Sequence, residues 1–542
     1  MRFTLLLSLF SCTLFAQQDS ITYKYWLQFS DKDDSGYFID TPEDFLSKRA
    51  IERRENQDIA IKKSDLPVNE NYIDSIKEIG FKILGISRWL NGVIVSSNDS
   101  NLYKNINCEF IDSIFYFGSW SSSIESSKIN LKFENDFTVS DYGNTYNQIK
   151  MLSLDFLHSK GFTGDGIIIA VLDAGFNKTD KLTVFENLFN EERILGTFDF
   201  VHRDNDVYSE HSHGTMVLST IAGEDIGNFI GSSPNASFWL FRTEDVASEN
   251  VIEEYYWLLA AEYADSAGVD IINSSLGYTT FDNPNQSHTY KDMDGKTTVV
   301  SIAANMASRK GMIVVNSAGN SGNSNWHYIG APADADSILS VGAIDENMNY
   351  AFFSSYGPTV DGRVKPNIVA QGKNTIVVNT DNVLLHANGT SFSSPLIAGA
   401  AANLWQAHPD RTNIEIIDAI ILSSHLNTNP NDSFGYGIPN FALSDLILKD
   451  PIDKFTSEVF TISPNPINSM SHLYIYSADN EMLKIEIYNT NGKRIKNYSI
   501  PIIPRSNNRI NIAFLKNISY GSYFMKVIIG QQEFVQKFMI IE

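Results

Sequence analysis

Cysteine, basic residues and long apolar runs are scarce in this 542-residue chain. Its 2 cysteines are Cys12 and Cys108. If Cys12 is cleaved off, no internal disulfide can form, so stability must come from a large core or from bound cations.

Lys and Arg number 41 against 64 Asp and Glu, a formal net charge of -23, which argues against nucleic acid and anionic lipid as partners. After residue 16, no apolar run is long enough to span a bilayer, and the lack of a repeat period argues against a solenoid or propeller.

The first 16 residues are typical of an export signal. A leucine-rich apolar run follows Arg2, and the segment closes on the small residue Ala16. A positive charge, a short apolar stretch and a small residue in this order predict a signal peptide over residues 1–16, not a membrane span. The stretch ending at Cys12 also loosely resembles a lipoprotein cleavage site, which is the alternative interpretation.

Residues 17–125 mix strand and helix patterns and predict a small α+β domain. The strand patterns lie at 25–29 and 92–95, and the helical patterns at 42–56 and 72–79. A serine-rich polar run then begins near Ser119, as exposed linkers do, and we place the linker itself at 126–139. In an exported protein, such a linker is a natural place for proteolytic processing.

Residues 140–448 alternate buried strands with helices and predict a doubly wound α/β domain around a parallel sheet. Three continuous apolar runs have the pattern of buried parallel strands, at 167–172, 269–275 and 312–318. Ligands of such sheets bind beyond the carboxyl ends of the strands. Asp173, Ser275 and Asn320 lie at or just past three of those ends, so we expect a site there.

Residues 457–542 differ from the rest in being strand-rich, and they predict a small C-terminal β-sandwich. Apolar and polar residues alternate from Leu483 to Tyr488, and a turn follows at 489–492. The alternation resumes at 519–529. The fold class predicted for the whole chain is therefore α/β, with an N-terminal α+β domain and a C-terminal β-sandwich.

Three short motifs carry nucleophilic chemistry. They are Asp173-Ala174-Gly175, His213-Gly214-Thr215 and Gly389-Thr390-Ser391, the last followed by a Pro and a run of small residues. A serine hydroxyl is a poor nucleophile unless a histidine base lies within hydrogen-bond reach and a carboxylate orients that base. We therefore predict Ser391 as nucleophile, His213 as general base and then acid, and Asp173 as the orienting carboxylate.

Acyl transfer also needs donors for the developing oxyanion. Asn320, in the stretch Ala318-Gly319-Asn320, is the predicted side-chain donor, and the backbone N–H of Ser391 is the predicted second donor. The interpretation without function is that Asn320 is simply a turn residue after Gly319.

These motifs, in the order Asp, His, Ser, resemble those of the subtilase (subtilisin-like serine protease) family. The resemblance covers 140–448 and implies that Ser275, Leu276 and Gly277 form a substrate-pairing edge. It also implies that Gly330 lies at the floor of the main specificity pocket, with room for a large apolar side chain. Phe392 departs from the family pattern, in which methionine follows the nucleophile, and an insertion at 283–296 has no obvious equivalent.

Family architecture implies two further roles. Residues 17–125 are expected to act as a propeptide, with a retained accessory domain as the alternative. The last segment is similar to the C-terminal sorting domain of type IX secretion, on the basis of Pro464-Asn465-Pro466, the turn at 488–492 and Gly521-Ser522-Tyr523. An adhesion or carbohydrate-binding sandwich is the alternative for that segment.

No cofactor is expected for the chemistry, and structural calcium is a family property to test. Two oxygen-rich loops, 204–206 and 292–295, could hold it, but neither has a complete loop signature, so solvated loops are the simpler interpretation. His211 and His213 have a zinc-like spacing without a third ligand, so no metal ligand is predicted.

The sequence predicts a monomeric serine endopeptidase, secreted or held at the cell surface, that hydrolyses protein or peptide substrates through an acyl-enzyme intermediate. The type IX secretion machinery is its expected export partner. Two alternatives stay open at this point. One is a non-catalytic surface protein that keeps the fold for binding, and the other is a serine hydrolase of esters or of a narrow peptide class.

Overall fold

The structure is a computed structural model, and it describes residues 21–120, 142–449, 459–463, 467, 471–477, 482–502, 506–530 and 532–540. The predicted signal peptide at 1–16, the linker at 126–139 and the stretch 464–466 lie outside the described residues. The predicted domain boundaries therefore remain predictions. Within the described ranges, no helix has both the length and the apolar character needed to cross a membrane.

The N-terminal domain is an antiparallel sheet with two helices. Its strands are β1 (Thr22–Phe29), β2 (Lys82–Ser87), β3 (Gly92–Ser97) and β4 (Ile111–Trp120), and its helices are α1 (Lys48–Asn56) and α2 (Glu70–Ile79). The strand order is β2-β3-β1-β4. The helix predicted at 42–56 is interrupted, because the Ser47 side chain accepts a hydrogen bond from Ala50 N–H and so caps a helix that begins only at Lys48.

The central domain is built on parallel strands. Its strands are β5 (Ile168–Asp173), β6 (Ile194–Asp199), β7 (Glu224–Asp225), β8 (Phe229–Ile230), β9 (Ser237–Arg242), β10 (Ile271–Ser274), β11 (Ile313–Ser317), β12 (Leu339–Ile344), β13 (Ile368–Gln371), β14 (Thr375–Val378) and β15 (Leu384–Ala387). Its helices are α3 (Tyr146–Lys150), α4 (Asp155–His158), α5 (Glu186–Asn190), α6 (His213–Ala222), α7 (Ile252–Ala267), α8 (Val299–Arg309), α9 (Thr390–Ala407), α10 (Asn413–Leu422) and α11 (Phe441–Lys449).

Seven of these strands form one parallel sheet in the order β13-β12-β11-β10-β5-β9-β6. Apolar side chains of α6 and α9 are buried on one face of this sheet, and those of α7 and α8 on the other. The doubly wound α/β prediction is therefore confirmed. Because all strands run the same way, β5, β10 and β11 end at one edge of the sheet, where the predicted site residues follow them.

The C-terminal segment consists of two antiparallel sheets. Its strands are β16 (Val459–Ser463), β17 (His472–Ser477), β18 (Met482–Asn489), β19 (Arg494–Pro501), β20 (Ser506–Asn511), β21 (Gly521–Ile529) and β22 (Gln532–Ile540). The sheets have the orders β16-β17-β20 and β19-β18-β21-β22, and they share one apolar core that includes Leu473, Ile485 and Phe538. The described residues agree with the predicted β-sandwich.

The N-terminal domain is joined to α7 of the central domain by a buried charge network. Asp265 of α7 pairs with Arg53 at 2.5 Å, with Arg54 at 2.8 Å and with Arg88 at 2.8 Å. Burial alone would raise the pKa of Asp265, but the three guanidinium charges outweigh it and hold that pKa below its ordinary value. The network therefore stabilises the joined state only while Asp265 is ionised.

We predict that Asp265→Asn weakens the union of the two domains by about 3–5 kcal/mol, because three guanidiniums lose their counter-charge. Chemical denaturation of the unprocessed chain measures this loss. The wild-type stabilisation should be full above the unfolded pKa of about 4 and be lost as the pH falls below it. A variant with unchanged stability near neutral pH would contradict the role given to the network.

Candidate active site

Asp173 and His213 meet at the carboxyl edge of the parallel sheet. Asp173 is the last residue of β5 and is fully buried, and His213 is the first residue of α6. Nδ1 of His213 lies 2.8 Å from Oδ1 of Asp173. A carboxylate can only accept, so this nitrogen carries the hydrogen and Nε2 is left free to act as a base.

The glycines of the two motifs explain how strand and helix come so close. Gly175 has φ +144°, and a Cβ there would lie 2.5 Å from the backbone nitrogen of His211. A Cβ on Gly214 would lie 2.5 Å from Gly175 O and 3.0 Å from Asp173 Cβ. Any larger residue at either position would push α6 away from β5 and break the Asp173–His213 contact.

Among the described residues, His213 is the only side chain that hydrogen-bonds to the carboxylate of Asp173. Its Oδ1 accepts from His213 and from Ala174 N–H, the latter at 2.8 Å. Its Oδ2 is buried and has no partner among the described residues. A buried carboxylate with so few partners stabilises an imidazolium when one forms beside it.

Ser391 lies in the first turn of α9, where backbone N–H groups have no intrahelical acceptor. Pro395 lacks the N–H that would otherwise bond to the carbonyl of Ser391 four residues earlier. The hydroxyl of Ser275 replaces it and donates to Ser391 O at 2.9 Å. This bond fixes the start of α9 against the end of β10.

The hydroxyl of Ser391 donates to the carbonyl of Ser275 at 3.4 Å. Within the described residues it makes no hydrogen bond to His213. Such bonds are often long or misaligned without substrate.

Asn320 is held by the residue that precedes Ser391. Its Oδ1 accepts from Thr390 N–H at 2.9 Å and from the Thr390 hydroxyl at 3.1 Å. Because a backbone N–H can only donate, these contacts fix which way the amide faces. Nδ2 therefore points away from Thr390 toward the space beside Gly389, where a Cβ would lie 3.6 Å from it. The N–H of Ser391, in the first turn of α9, has no acceptor among the described residues.

The stretch Ser275–Gly277 runs on from the end of β10. The carbonyl of Leu276 accepts from Asn316 Nδ2 at 3.0 Å, so it faces the interior. Gly277 is exposed, and its N–H and C=O are unpaired in the described part of the chain. These two groups can pair with an extended peptide. The next residue, Tyr278, is already paired in a single antiparallel bridge with Ala331.

Gly330 lies beside this edge but is buried. A Cβ there would lie 3.0 Å from Thr279 Cγ2 and 3.4 Å from Tyr278 O. The close approach of these two segments already explains the glycine. The role of Gly330 as a pocket floor therefore stays a prediction.

The charges around His213 change its pKa. Burial alone would lower the pKa of His213, but the charge of Asp173, their hydrogen bond and the charge of Glu244 raise it above its ordinary value. Burial lowers the pKa of the neighbouring His211, and the charge of His213 adds to this. The site therefore holds one imidazole that readily accepts a proton.

Sequence reasoning missed two residues of the site. Thr390 belongs to the Gly-Thr-Ser motif, and its hydroxyl and N–H orient Asn320; the motif itself was the available signal. Glu244 follows β9, whose place beside β5 is a matter of sheet order. No motif in the sequence marks it.

Comparisons with known proteins agree with this geometry. The model of the subtilase family matches residues 164–437. A peptidase S8 propeptide domain of Bacteroidota matches residues 24–132. A secretion system C-terminal sorting domain matches residues 461–542.

Individual relatives cover the central domain. Subtilisin DY of Bacillus licheniformis is 28% identical over 53% of this chain and 93% of its own length. Subtilisin BL of Lederbergia lenta is 32% identical over 48% of this chain and 83% of its own length. An epidermin leader peptide processing serine protease from Staphylococcus aureus superposes with a TM-score of 0.52 at 16% identity, over 79% of this chain and 99% of that chain. At this identity, the superposition shows the fold alone.

Proposed function

Since the chain belongs to the subtilase family and is a serine endopeptidase, we propose that Ser391, His213 and Asp173 are its catalytic triad. The observation that carries this proposal is the 2.8 Å hydrogen bond from His213 to the buried Asp173. It sets the tautomer in which Nε2 of His213 can take the proton of Ser391.

The proposed reaction has two halves. Ser391 Oγ attacks the scissile carbonyl carbon while His213 takes its proton, and the tetrahedral intermediate collapses when His213 returns that proton to the leaving amine. Water then attacks the acyl-enzyme in the same way and releases the acid. Asp173 stays ionised throughout and stabilises the imidazolium. The oxyanion is bound by Asn320 Nδ2 and by the N–H of Ser391.

The substrate is proposed to bind as an extended strand along Ser275–Gly277, with the free N–H and C=O of Gly277 as its pairing groups. The preference for a large apolar side chain beside Gly330 remains part of this proposal. A peptide library with a strict preference for basic residues at P1, the residue before the scissile bond, would contradict that preference.

The two flanking domains are assigned roles in maturation and in export. The N-terminal domain is a propeptide of the Bacteroidota type, and the C-terminal type IX sorting domain implies secretion or surface attachment. We infer that residues 1–16 direct the first export step, that the type IX machinery exports the chain and that the mature enzyme is a monomer. Lipoprotein anchoring at Cys12 is the alternative to release.

For the two oxygen-rich loops, the sequence favours solvated turns over a calcium site, and the contacts support the same interpretation. In 204–206 and 292–295 the aspartates accept hydrogen bonds from backbone amides or hydroxyls within a few residues. Those bonds use oxygens that a calcium ion would need as ligands. The residues present therefore fit turns better than a cation, and no step of the mechanism involves one.

The direct test of the proposed function is to express the chain without its first 16 residues, incubate it, and monitor both its processing and its activity. We expect a new N-terminus between Ser119 and Tyr142, followed by hydrolysis of peptide bonds. Peptides and simple esters are compared on the processed protein. Processing without any turnover of peptides would contradict the proposal.

Asn320→Ala is expected to lower kcat about 10²–10³-fold, the loss known for the oxyanion asparagine of subtilisin. KM should change little, because the Nδ2 donor acts on charge that develops only in the transition state. Steady-state kinetics on one peptide measure both constants. Asn323→Ala, on an exposed residue of the same loop, is the matched control, and a similar loss there would contradict the role of Asn320.

The raised pKa of His213 predicts the acid side of the pH profile. The free base is the active form, so kcat/KM should fall as the pH drops through that pKa. Because the pKa is raised, the midpoint should lie above the ordinary histidine value of about 6.5. Measurements from about pH 5 to pH 9 locate it. A midpoint clearly below the ordinary value would contradict the Asp173 contact.

A further inference from the structure

The inserted loop at 283–296 contacts the N-terminal domain directly. Gln286 ends a short 3-10 turn at the start of this loop. Its Nε2 donates to the backbone carbonyls of Tyr116 at 3.1 Å and of Phe117 at 3.2 Å, both in β4. Because a carbonyl oxygen can only accept, these contacts fix which way the amide faces. A loop of the central domain therefore binds the backbone of a strand of the N-terminal domain.

The side chain of Gln286 has no second use within the central domain. Both of the hydrogen bonds that it makes to described residues go to β4, and its Oε1 is buried without a partner among them. A buried acceptor that stays unpaired costs free energy, and the two bonds from Nε2 offset this cost only while the N-terminal domain is in place. The amide thus serves the contact between the domains and not the fold of the loop.

The central domain itself holds the inserted loop in position. Two residues after Gln286, the N–H of His288 donates to Thr279 O at 2.8 Å. The imidazole of His288 pairs with Glu254, a buried residue of α7. Since these bonds fix the loop without any help from β4, Gln286 is preorganised for its partner and little conformational freedom is lost on docking.

The strand that Gln286 binds is irregular at the point of contact. Lys24 of β1 pairs with Gly118 of β4, whereas the next residue, Tyr25, pairs with Tyr116. Phe117 is therefore the extra residue of a β-bulge. A bulge leaves its extra residue outside the hydrogen-bond ladder of the sheet, so the backbone of this residue is available to a partner outside the sheet.

The ring of Phe117 is held from the other side. It is buried and packs edge-on against Tyr255 of α7, with the ring centroids 4.8 Å apart. The carbonyl of the same residue is the one that Gln286 binds. Helix α7 and the inserted loop thus grip the bulge together, one through apolar burial and the other through hydrogen bonds.

We propose that the inserted loop is a second docking surface for the N-terminal domain, and that through Gln286 it retains this domain on the enzyme after the chain between them is cut. The inference rests on the proposed function, because only a processed chain has a separate N-terminal domain to retain. It is distinct from the Asp265 network, since it is uncharged and binds backbone. The loop then sets how long the cleaved domain stays bound.

The first test follows dissociation in the chain without its first 16 residues. Denaturing electrophoresis measures the cleavage, and native mass spectrometry measures the fraction of enzyme that still carries the cleaved domain. Gln286→Ala is expected to speed dissociation about three- to tenfold, as the net loss of one or two hydrogen bonds would. The rate of cleavage and the final kcat should not change, because Gln286 is not part of the active site.

Two further variants sharpen this test. Gln286→Glu cannot donate and places a carboxylate against two carbonyl oxygens, so it should speed dissociation at least as much as Gln286→Ala. Asn285→Ala, on the exposed preceding residue, is the matched control and should dissociate like the wild type.

The second test does not depend on activity. In the full chain with Ser391→Ala, adding Gln286→Ala should speed hydrogen exchange of the β4 amides about three- to tenfold, whereas adding Asn285→Ala should not. Unchanged exchange and unchanged dissociation in Gln286→Ala would overturn this proposal and leave the proposed function standing. A wild-type chain that is never processed would overturn the proposed function and the retention with it, and faster exchange would then still support the docking surface.

Discussion

Ser391→Ala is expected to lower kcat by on the order of 10⁶-fold, a magnitude taken from subtilisin itself. The alanine variant keeps the helix, because the bond that fixes this turn runs from Ser275 Oγ to the backbone carbonyl of residue 391 and does not use the lost hydroxyl. The oxyanion donors also survive, since they are Asn320 and a backbone N–H. What remains should be the weak catalysis of these donors and of binding alone.

A hydroxyl two residues further along the same helix gives the matched control. Ser393 is buried, and its Oγ donates only to Thr390 O at 3.0 Å. Ser393→Ala removes the same group from the same turn of α9 and should change kcat by no more than a few fold. Steady-state kinetics on a single peptide compare the two variants. Equal losses would mean that the helix, and not the nucleophile, was damaged.

Asp173→Asn is expected to lower kcat about 10⁴-fold, as in other triad hydrolases. Asparagine can donate to Nδ1 of His213, which places the imidazole hydrogen on Nε2 and removes the base. It also removes the negative charge that stabilises the imidazolium. The loss should be in kcat, because neither effect concerns the binding of the ground state.

In Asp173→Asn, the melting temperature should not fall along with kcat. Oδ2 of Asp173 is buried without a partner among the described residues, so the carboxylate is held there at a cost in desolvation. The neutral amide should leave the melting temperature unchanged or raise it. A thermal scan beside the kinetics checks this. A large fall in melting temperature together with full kcat in the folded fraction would contradict the catalytic role.

The site could be predicted because three short motifs, in the chain order Asp, His, Ser, each encode the local geometry around one site residue. Gly175 and Gly214 are in the motifs since only glycine allows β5 and α6 to approach so closely. The burial of nearly all of α9 follows from its small residues. No local motif encodes the order of the strands in the sheet. The position of Glu244 near Asp173 and Tyr278 could therefore not be predicted.

The N-terminal domain shows the same limit. Its strands and the helix ending at Gly80 follow from local patterns. The three arginines on Asp265 come from segments about two hundred residues away in sequence. Charge pairing over such a distance depends on how two domains pack, which no local pattern records.

The measurement that tests the central claim most directly is labelling of the processed chain with a fluorophosphonate probe, followed by mapping of the modified peptide. Such probes form a covalent bond only with an activated serine. We predict one label, on Ser391, that is absent from Ser391→Ala and strongly reduced in Asp173→Asn. A folded, processed protein that takes no label, or a label on another serine that persists in Ser391→Ala, would contradict the proposed triad.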